Sequence, residues 1–428
     1  MLICGSAASL GFPMDTSFPK DRIRVVLFEG VHEAAVEALV REGFRVETER
    51  GSPDTARLRT LVESAHVIGL RSKTRLDAGV ISAARRLLAV GCFCIGTDQV
   101  DLRAARSRGV PVFNSPFSNT RSVAELTVAE VVMLCRRTFE KNARMHAGAW
   151  DKSAAGSHEV RGRTLGIVGY GHIGSQVSVL AEAMGMRVLF FDTAPRLALG
   201  NAERAGSLGE LLERSDVVTL HVPATPQTAG MIGRDAIARM RPGAMLINNA
   251  RGSLVELAAL REAIETGRIG GAALDVFPEE PAAAGDAFRC ELAGLPNVIL
   301  TPHVGGSTAE AQEAIGRDVA AKLIAFVNAG STAGAVNLPQ VDLPPQPHRA
   351  GESAEATHRV LHLHRNVPGV LSKINALLAA RGINVRSQRL ETDADLGYVV
   401  LDVDPTESAA ALEELESIPE TVRTRVLW

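Results

Sequence analysis

The sequence predicts an α/β protein with two doubly wound parallel-sheet lobes and a smaller C-terminal domain of the ferredoxin-like βαββαβ type. Short apolar runs alternate with helical patterns from Asp21 to His303, which is typical of parallel strands connected by helices. A segment with four prolines, 338–347, separates this region from a tail with the pattern βαββαβ. The length of 428 residues is compatible with about three domains.

The first lobe is predicted from apolar runs between Asp21 and Phe117. These runs are residues 24–28, 44–47, 67–70, 87–91 and 110–113. A long, mostly apolar pattern from Thr120 to Met145 then predicts a helix that connects the two lobes. The helical pattern 308–327 is predicted to return to the first lobe and complete it. The predicted boundaries are an N-terminal extension at 1–20, a first lobe at 21–118 and 307–337, a second lobe at 119–306, a linker at 338–356 and a C-terminal domain at 357–428.

The second lobe contains a G-x-G-x-x-G turn formed by Gly169, Gly171 and Gly174. The surrounding elements occur in the order strand, turn, helix, strand and acid, at 164–168, 169–174, 172–184, 187–191 and Asp192. This order is the fingerprint of a Rossmann-like dinucleotide site, in which the pyrophosphate lies at a helix N-terminus. Asp192 is expected to bind ribose hydroxyls and repel a 2′-phosphate, which favours NAD over NADP. Arg196 is close enough in sequence to leave NADP open.

Residues that could carry chemistry follow the last strands of the second lobe. Six strands are predicted there, with carboxyl ends near Gly169, Asp192, Val222, Ala250, Phe277 and His303. Ligands of open α/β sheets bind outside these ends. Arg251, Glu280 and His303 occupy corresponding positions after three of the strands, so they are predicted to converge on one cleft.

The three residue types suit the oxidation of an alcohol by a nicotinamide, for which the protein supplies orientation and proton handling. His303 can remove a hydroxyl proton near neutral pH, and the Glu280 carboxylate would stabilise the protonated imidazole. Arg251 offers a planar fork to a substrate carboxylate. Taken singly, each of these residues is more often structural, so the prediction depends on their shared position at strand ends.

The composition predicts a protein without nucleic-acid or membrane partners. The net charge is −3, so no general basic field would attract nucleic acid or anionic lipid. No apolar stretch of about 18 residues is free of charge, and residues 1–20 lack the pattern of a signal peptide. The 5 cysteines are scattered, which suits a reducing cytoplasm and predicts neither disulfides nor a metal site.

At these motifs the chain resembles the D-isomer-specific 2-hydroxyacid dehydrogenase family, and within it the members that oxidise D-3-phosphoglycerate in serine biosynthesis. The matching segments are 169–174, 220–223, 248–252, 273–281 and 301–308 in the second lobe, and 91–97 and 114–125 in the first. The resemblance implies NAD-dependent oxidation of D-3-phosphoglycerate to 3-phosphohydroxypyruvate. A related enzyme acting mainly on another 2-oxo acid, such as 2-oxoglutarate, and a non-enzymatic NAD-sensing partner protein are the alternatives.

The resemblance also implies which residues form the site. The catalytic residues would be Arg251, Glu280 and His303. The cofactor contacts would be Gly169, Gly171, His172, Ile173, Gly174, Asp192, Asn249, Ala250, Arg251, Asp275, His303, Gly305 and Gly306. The substrate contacts would be Arg71, Ser72, Asn119 and Gln312, and no metal is implied. Ala250 stands where the family often has a serine, which would remove one polar cofactor contact.

The C-terminal domain resembles an ACT regulatory domain, which implies control by a small effector. The effector implied for the family is serine, which would bind at His364, Asn366 and Asn384. Arg365 stands where the bacterial family members have an acid, and an ACT domain that only oligomerises is the alternative. The resemblance further implies a homo-oligomer, either a tetramer or a dimer.

Overall fold

The computed structural model describes residues 18–281, 285–344, 357–404 and 408–427. The chain forms two compact units, one that contains the residues up to Pro116 and from Glu313 onward, and one from Phe117 to Gln312. Most of the predicted N-terminal extension, 1–20, lies outside the described residues. Residues 345–356 of the predicted linker lie outside them as well.

A five-stranded parallel sheet forms the centre of the first unit. Its strands are β1 (Arg24–Leu27), β2 (Arg45–Thr48), β3 (Val67–Leu70), β4 (Ala89–Cys92) and β5 (Val112–Phe113), in the spatial order β2-β1-β3-β4-β5. Its helices are α1 (Glu33–Arg41), α2 (Thr55–Val62), α3 (Ala78–Ala83) and α4 (Leu102–Ser107), after a 3₁₀ turn at Lys20–Arg22. β3 and β4 are buried along their whole length because helices cover both faces of such a sheet.

The second unit contains a seven-stranded parallel sheet in the order β12-β11-β10-β9-β6-β7-β8. The strands are β6 (Thr164–Val168), β7 (Arg187–Phe191), β8 (Glu203–Arg204), β9 (Val217–Leu220), β10 (Ala244–Asn248), β11 (Ile269–Leu274) and β12 (Val298–Leu300). The helices are α5 (Thr120–Arg136), α6 (Thr138–His146), α7 (His172–Ala183), α8 (Leu208–Arg214), α9 (Arg234–Arg239) and α10 (Leu257–Glu265), with a 3₁₀ turn at Gly252–Leu254.

Two local expectations for the second unit were wrong. The single helix predicted from Thr120 to Met145 is two helices, because Arg137 adopts a left-handed φ of 53° between α5 and α6. The Arg137 guanidinium bonds to Glu140 at 2.6 Å, which secures the start of α6. β8 is a seventh strand that apolar patterning missed, because both of its residues are charged and exposed.

Helix α11 (Ala309–Ala329) begins in the second unit and runs mainly through the first. Ile315, Val319 and Leu323 lie at four-residue intervals and are buried in one cluster with Val25 and Leu27 of β1. The spacing places these side chains on one helix face, so burial against the sheet stabilises α11 there.

The C-terminal residues form a four-stranded antiparallel sheet in the order β14-β15-β13-β16. Its elements are β13 (His358–Arg365), α12 (Val370–Ala380), β14 (Val385–Thr392), β15 (Leu396–Val403), α13 (Ser408–Ser417) and β16 (Thr421–Leu427). Val360, Ile374 and Leu401 are buried in its core. This arrangement confirms the predicted fold class, two parallel-sheet lobes with a ferredoxin-like C-terminal domain.

The C-terminal sheet packs on the rest of the first unit. The Tyr398 hydroxyl donates to the Gly330 carbonyl at 2.7 Å, and Arg106 of α4 pairs with Asp393 at 2.5 Å. Leu338 and Val341, from the described part of the predicted linker, are buried against this sheet. No helix among the described residues is long and apolar enough to cross a membrane.

Candidate active site

The glycine turn joins β6 to α7 and lets backbone segments approach without side chains between them. Gly169 has a φ of 92°, in the left-handed region that favours glycine, and its N–H donates to the Phe191 carbonyl at 2.8 Å. A Cβ at Gly174 would overlap the Gly169 carbonyl oxygen, so the third glycine lets the helix pack on the turn. A Cβ at Gly171 would meet open space, which leaves the approach to the helix clear.

The N-terminus of α7 provides donors for an anion. Gly171 is the N-cap residue, and no side chain in the described part of the chain caps the helix there. The first-turn N–H groups, which belong to His172, Ile173 and Gly174, are therefore not used by a capping side chain. Together with the helix dipole they suit the pyrophosphate of a dinucleotide.

Asp192 ends the strand region of β7 next to the glycine turn. One carboxylate oxygen accepts the Tyr170 N–H at 2.9 Å, and the other accepts the Ala194 N–H at 2.8 Å. Arg196 Nε lies 3.3 Å from the first of these oxygens. The carboxylate is thus fixed beside the turn, where it can also accept hydroxyl groups of a ribose.

The three candidate catalytic residues lie beyond adjacent strands at one side of the second sheet. Arg251 follows β10, Glu280 follows β11 and His303 follows β12. His303 has a φ of 55°, a conformation that is rare outside glycine and that concentrates at functional sites. The Arg251 guanidinium donates to the Ala250 carbonyl at 2.7 Å.

Glu280 and His303 form a hydrogen-bonded pair. Glu280 Oε2 accepts from His303 Nδ1 at 2.8 Å, which leaves the other ring nitrogen, Nε2, as the acceptor of a neutral imidazole. The hydrogen bond to Glu280 raises the pKa of His303 against the effect of burial, and the Asp275 charge adds to it while Arg251 opposes it. Burial alone would raise the pKa of Glu280, but the hydrogen bond and charge of His303, with a smaller effect of Arg251, hold it below its usual value.

Asp275 fixes the loop that carries His303. Its Oδ1 accepts the Thr301 hydroxyl at 2.6 Å and the Val304 N–H at 2.8 Å, while its Oδ2 accepts the Gly305 N–H at 2.7 Å. Asp275 is only 1% exposed, so these bonds replace its hydration. The residue therefore braces the histidine loop from the end of β11.

Two residues that sequence reasoning missed, Thr127 and Glu130 on α5, hold the predicted cofactor residue Asn249. Asn249 Nδ2 donates to Thr127 Oγ1 at 3.0 Å and to Glu130 Oε2 at 2.7 Å. Burial raises the pKa of Glu130, the hydrogen bond from Asn249 opposes this, and Asp275 adds to it, which brings the pKa to about 7. A signal did exist, because Thr127 and Glu130 interrupt the apolar stripe of the predicted helix with polar residues.

Two buried amide oxygens of the second unit could accept hydrogen bonds from bound ligands. Asn249 Oδ1 and Asn119 Oδ1 are buried, and neither has a hydrogen-bond partner among the described residues. Gly306 lies against Asn119, since a Cβ added at Gly306 would overlap the side-chain amide of Asn119. The Gln312 side chain donates to the Gly306 carbonyl at 3.2 Å. Buried acceptors without partners are costly unless a ligand uses them, so this site suits a group that offers several hydrogen-bond donors.

The predicted substrate residues are divided between the two units. Arg71 and Ser72 belong to the first unit, whereas Asn119 and Gln312 belong to the second. The loop after β3 is fixed by Glu29, whose carboxylate accepts the Lys73 N–H at 3.0 Å and the Thr74 N–H at 2.6 Å. The Arg71 carbonyl accepts from Gln99 at 2.6 Å.

Two of the three predicted effector residues, His364 and Asn366, lie at the same end of the C-terminal sheet. His364 is buried, whereas Asn366 is exposed and donates its side-chain N–H to the Asp393 carbonyl at 2.7 Å. Asn384 lies at the other end of the sheet. It precedes Val385, which pairs with Val403 at the end of β15, whereas His364 pairs with Gly397 near the start of β15. The six residue steps from Gly397 to Val403 correspond to about 20 Å along the strand. One copy of the domain therefore does not hold all three side chains in one small-molecule site.

Within the described ranges, no group of three or more His, Cys, Asp or Glu residues could hold a metal ion.

Comparison with known proteins gives matches in both parts of the chain. Residues 128–305 match the family described as "D-isomer specific 2-hydroxyacid dehydrogenase, NAD binding domain". Residues 360–423 match the "AHAS small subunit-like ACT domain".

Full-length relatives are also found. The chain is 50% identical over 415 residues to D-3-phosphoglycerate dehydrogenase of Escherichia coli strain K12, covering 96% of this chain and 99% of the relative. It is 49% identical over 413 residues to D-3-phosphoglycerate dehydrogenase of Dictyostelium discoideum, with the same coverage of both chains. The solved structure of D-lactate dehydrogenase from Aquifex aeolicus complexed with NAD and lactic acid is 30% identical, with a TM-score of 0.63, and covers 71% of this chain and 95% of that one.

Proposed function

Because this chain belongs to the D-isomer specific 2-hydroxyacid dehydrogenase family, we propose that it uses NAD to oxidise D-3-phosphoglycerate to 3-phosphohydroxypyruvate. The substrate is assigned from the D-3-phosphoglycerate dehydrogenases to which the chain is similar. The cofactor is assigned from the match to the NAD-binding domain. The observation that carries the proposal is the Glu280–His303 hydrogen bond beyond the strand ends of a dinucleotide-binding sheet. This reaction is the first step of phosphorylated serine biosynthesis.

Each site residue then has a separate role in the oxidation of the alcohol. NAD, when bound, accepts the hydride from C2 of the substrate. His303 Nε2 takes the C2 hydroxyl proton, and Glu280 stabilises the imidazolium that results. Arg251 binds the substrate carboxylate with its planar fork and polarises the developing carbonyl. Asp275 keeps the His303 loop in place while the charge on the imidazole changes.

We assign Arg71, Ser72, Asn119 and Gln312 to substrate binding. Arg71 begins a basic sequence that continues with Lys73 and Arg75, and such cations suit the phosphate and carboxylate of 3-phosphoglycerate. The exposed side chain of Ser72 can donate to the same anions. The buried acceptor of Asn119 suits a hydroxyl of the substrate.

The reaction is tested by following NADH formation with D-3-phosphoglycerate. The reverse reaction should show a higher kcat/KM for 3-phosphohydroxypyruvate than for 2-oxoglutarate, since specificity is the ratio of these values. A higher kcat/KM for 2-oxoglutarate would make that compound the main substrate. Tight NADH binding without turnover of any hydroxy acid would instead favour a non-enzymatic NAD-sensing role.

A matched pair of arginine variants separates the catalytic role from general charge. Arg251→Ala should abolish most turnover while NADH binding persists. Arg261→Ala removes an exposed arginine that pairs with Glu265 on α10, and it should leave both unchanged. Turnover of Arg251→Ala within threefold of the unaltered protein, our threshold, would contradict the assigned role.

We propose serine as a feedback inhibitor that binds between two copies of the C-terminal domain. The support is the strand register, since Asn384 and the pair His364 and Asn366 lie at opposite ends of one sheet. A site that uses all three residues needs a second copy, so we propose a homo-oligomer, a dimer or a tetramer. Millimolar serine should inhibit the reaction, and Asn366→Ala should weaken that inhibition. An unchanged rate would remove serine as an effector.

We place the protein in the cytoplasm, without nucleic-acid or membrane partners. The described cysteines Cys92, Cys135 and Cys290 form no disulfide, which supports a reducing compartment.

A further inference from the structure

The side chain of Asn249 can present either of two chemical faces, and its contacts on α5 decide which one. Thr127 donates its hydroxyl hydrogen to the Val123 carbonyl at 2.8 Å, so toward Asn249 it acts as an acceptor. Glu130 Oε2, when ionised, is also an acceptor. Both hydrogens of the Asn249 amide group are therefore used on α5, which leaves Oδ1 as the face turned away from the helix.

The site is buried, so an incorrect pairing is costly. Glu130 is 1% exposed, Thr127 is 0% exposed and Asn249 is 8% exposed. Asn249 Oδ1 and Glu130 Oε1 are the two buried oxygens of this cluster without partners among the described residues. An amide turned by 180° would place Oδ1 against two acceptors, which the low dielectric of the interior makes unfavourable.

A proton on Glu130 removes one of these two acceptors, and the Thr127 hydroxyl can rotate away from Val123 to donate to the turned amide. The protonated carboxyl carries an O–H donor, which can donate to Asn249 Oδ1 once the amide has turned. The amide would then present Nδ2, a donor, in place of Oδ1. The charged group that acts on Glu130 from a neighbouring element is Asp275, at the end of β11, and its negative charge favours the protonated form.

We propose that Glu130 is a positioning residue that sets which face of Asn249 meets the cofactor, the oxygen when Glu130 is ionised and the nitrogen when it is protonated. This inference rests on the proposed function, in which Asn249 contacts NAD. The ionised form suits a donor of the cofactor, such as a ribose hydroxyl or a carboxamide N–H. Cofactor affinity should therefore fall as the pH decreases and Glu130 takes up a proton.

The test measures the dissociation constant of NADH by fluorescence between pH 6 and pH 8. Glu130→Gln cannot ionise and can donate to Asn249, so it should bind NADH about tenfold more weakly at pH 8, the effect of one hydrogen bond. The dissociation constant of NADH for this variant should also lack the pH dependence that titration of Glu130 causes in the unaltered protein. His303 titrates in both proteins, so the comparison cancels its contribution.

Two further variants serve as controls. Glu125→Gln removes an exposed carboxylate from the same helix and should keep the unaltered pH profile. Thr127→Val removes the other acceptor of the Asn249 amide and does not change any titrating group. It should therefore weaken NADH binding at both ends of the pH range. An unaltered protein that does not bind NADH would overturn the proposed function. A Glu130→Gln variant with the unaltered affinity and pH profile would overturn this inference alone.

The protein without cofactor provides an independent measurement. A carboxyl with a raised pKa in the folded state contributes stability below its unfolded pKa, and that contribution is lost as the pH rises through the folded value of about 7. The unaltered protein should therefore lose thermal stability relative to Glu130→Gln between pH 5 and pH 8. Parallel melting curves for the two proteins over this range would show that Glu130 is ionised throughout and would contradict the inference.

Discussion

His303 combines a strained backbone with a side chain fixed at one nitrogen. Its left-handed φ of 55° costs conformational energy, and the three hydrogen bonds of Asp275 to the neighbouring residues hold the loop in this form. The bond from Nδ1 to Glu280 then sets the ring orientation. The strain and the brace together give a histidine whose free nitrogen has a defined direction, which proton transfer requires.

Replacing Glu280 by Gln should move the pH profile of oxidation toward lower pH. Glu280 raises the pKa of His303, and the reaction needs the neutral imidazole, so activity in the unaltered protein rises as the pH passes the raised value. Without the carboxylate this rise occurs at lower pH, while kcat at the plateau falls by roughly a hundredfold because the imidazolium loses its support. The measurement is kcat against pH for both proteins, and a shift of the rise toward higher pH would contradict the pairing.

At the residue scale, the sequence predicts side chains at strand ends better than side chains on helices. Arg251, Glu280 and His303 each follow a strand, and their functional roles stay predictions. Thr127 and Glu130 escaped prediction because their partner, Asn249, is more than a hundred residues away along the chain. Periodicity identifies the buried face of a helix, but it does not reveal which polar residue a buried polar group will meet.

At the scale of elements, the turn between β6 and α7 uses its glycines for different purposes. Gly174 is needed for packing, because an added Cβ would overlap the Gly169 carbonyl oxygen. Gly171 has open space around its missing Cβ and a negative φ of −83°, so an alanine there strains nothing in the protein itself. A substitution at Gly174 therefore tests the folding of the turn, whereas a substitution at Gly171 tests the access of the cofactor to it.

Alanine substitutions at these two glycines should have contrasting effects. Gly174→Ala should lower the thermal midpoint and weaken NADH binding, because the first turn of α7 must move away from Gly169. Gly171→Ala should keep the thermal midpoint but weaken NADH binding about tenfold or more, because the methyl group occupies the approach of the pyrophosphate. Thermal unfolding and NADH fluorescence measure the two effects, and an unchanged NADH affinity in Gly171→Ala would place the pyrophosphate elsewhere.

Element boundaries were predictable where apolar periodicity is strong and not where a single residue changes direction. The strands on either side of the glycine turn, β6 and β7, coincide with the predicted apolar runs. The break at Arg137 depends on one left-handed residue and its bond to Glu140, and neither alters the apolar pattern. β8 is held by pairing with β7 rather than by burial, so its charged residues carried no strand signal.

At the scale of the whole molecule, the C-terminal sheet is attached to the first lobe by buried polar contacts as well as by apolar packing. Tyr398 reaches the Gly330 carbonyl beyond the end of α11, and Arg423 reaches the Leu87 carbonyl before β4. Leu338, Leu361 and Leu363 are buried in one apolar cluster with the Tyr398 ring. The fold class followed from the order of apolar runs, but this attachment did not, because sequence patterns do not show which face of a domain is covered.

Replacing Tyr398 by Phe should loosen this attachment. The change leaves the buried Gly330 carbonyl without its donor at a cost of about 1–3 kcal/mol, so hydrogen exchange in β15 should become faster. Tyr170→Phe is the matched control, since its hydroxyl bonds to Ser178 in the second unit and the change should leave exchange in β15 as it was. Equal exchange in β15 for both variants would show that the Tyr398 bond contributes nothing to the attachment.

The strand register of the C-terminal domain has a consequence for mixed assemblies. Asn366 and Asn384 lie beyond opposite ends of one sheet, so a serine site that uses both takes its two halves from different chains. An Asn366→Ala subunit paired with an Asn384→Ala subunit would still contain one undamaged site, although neither variant has one alone. Co-expression of the two should thus restore part of the serine response through intersubunit complementation, and dilution that separates the subunits should abolish it.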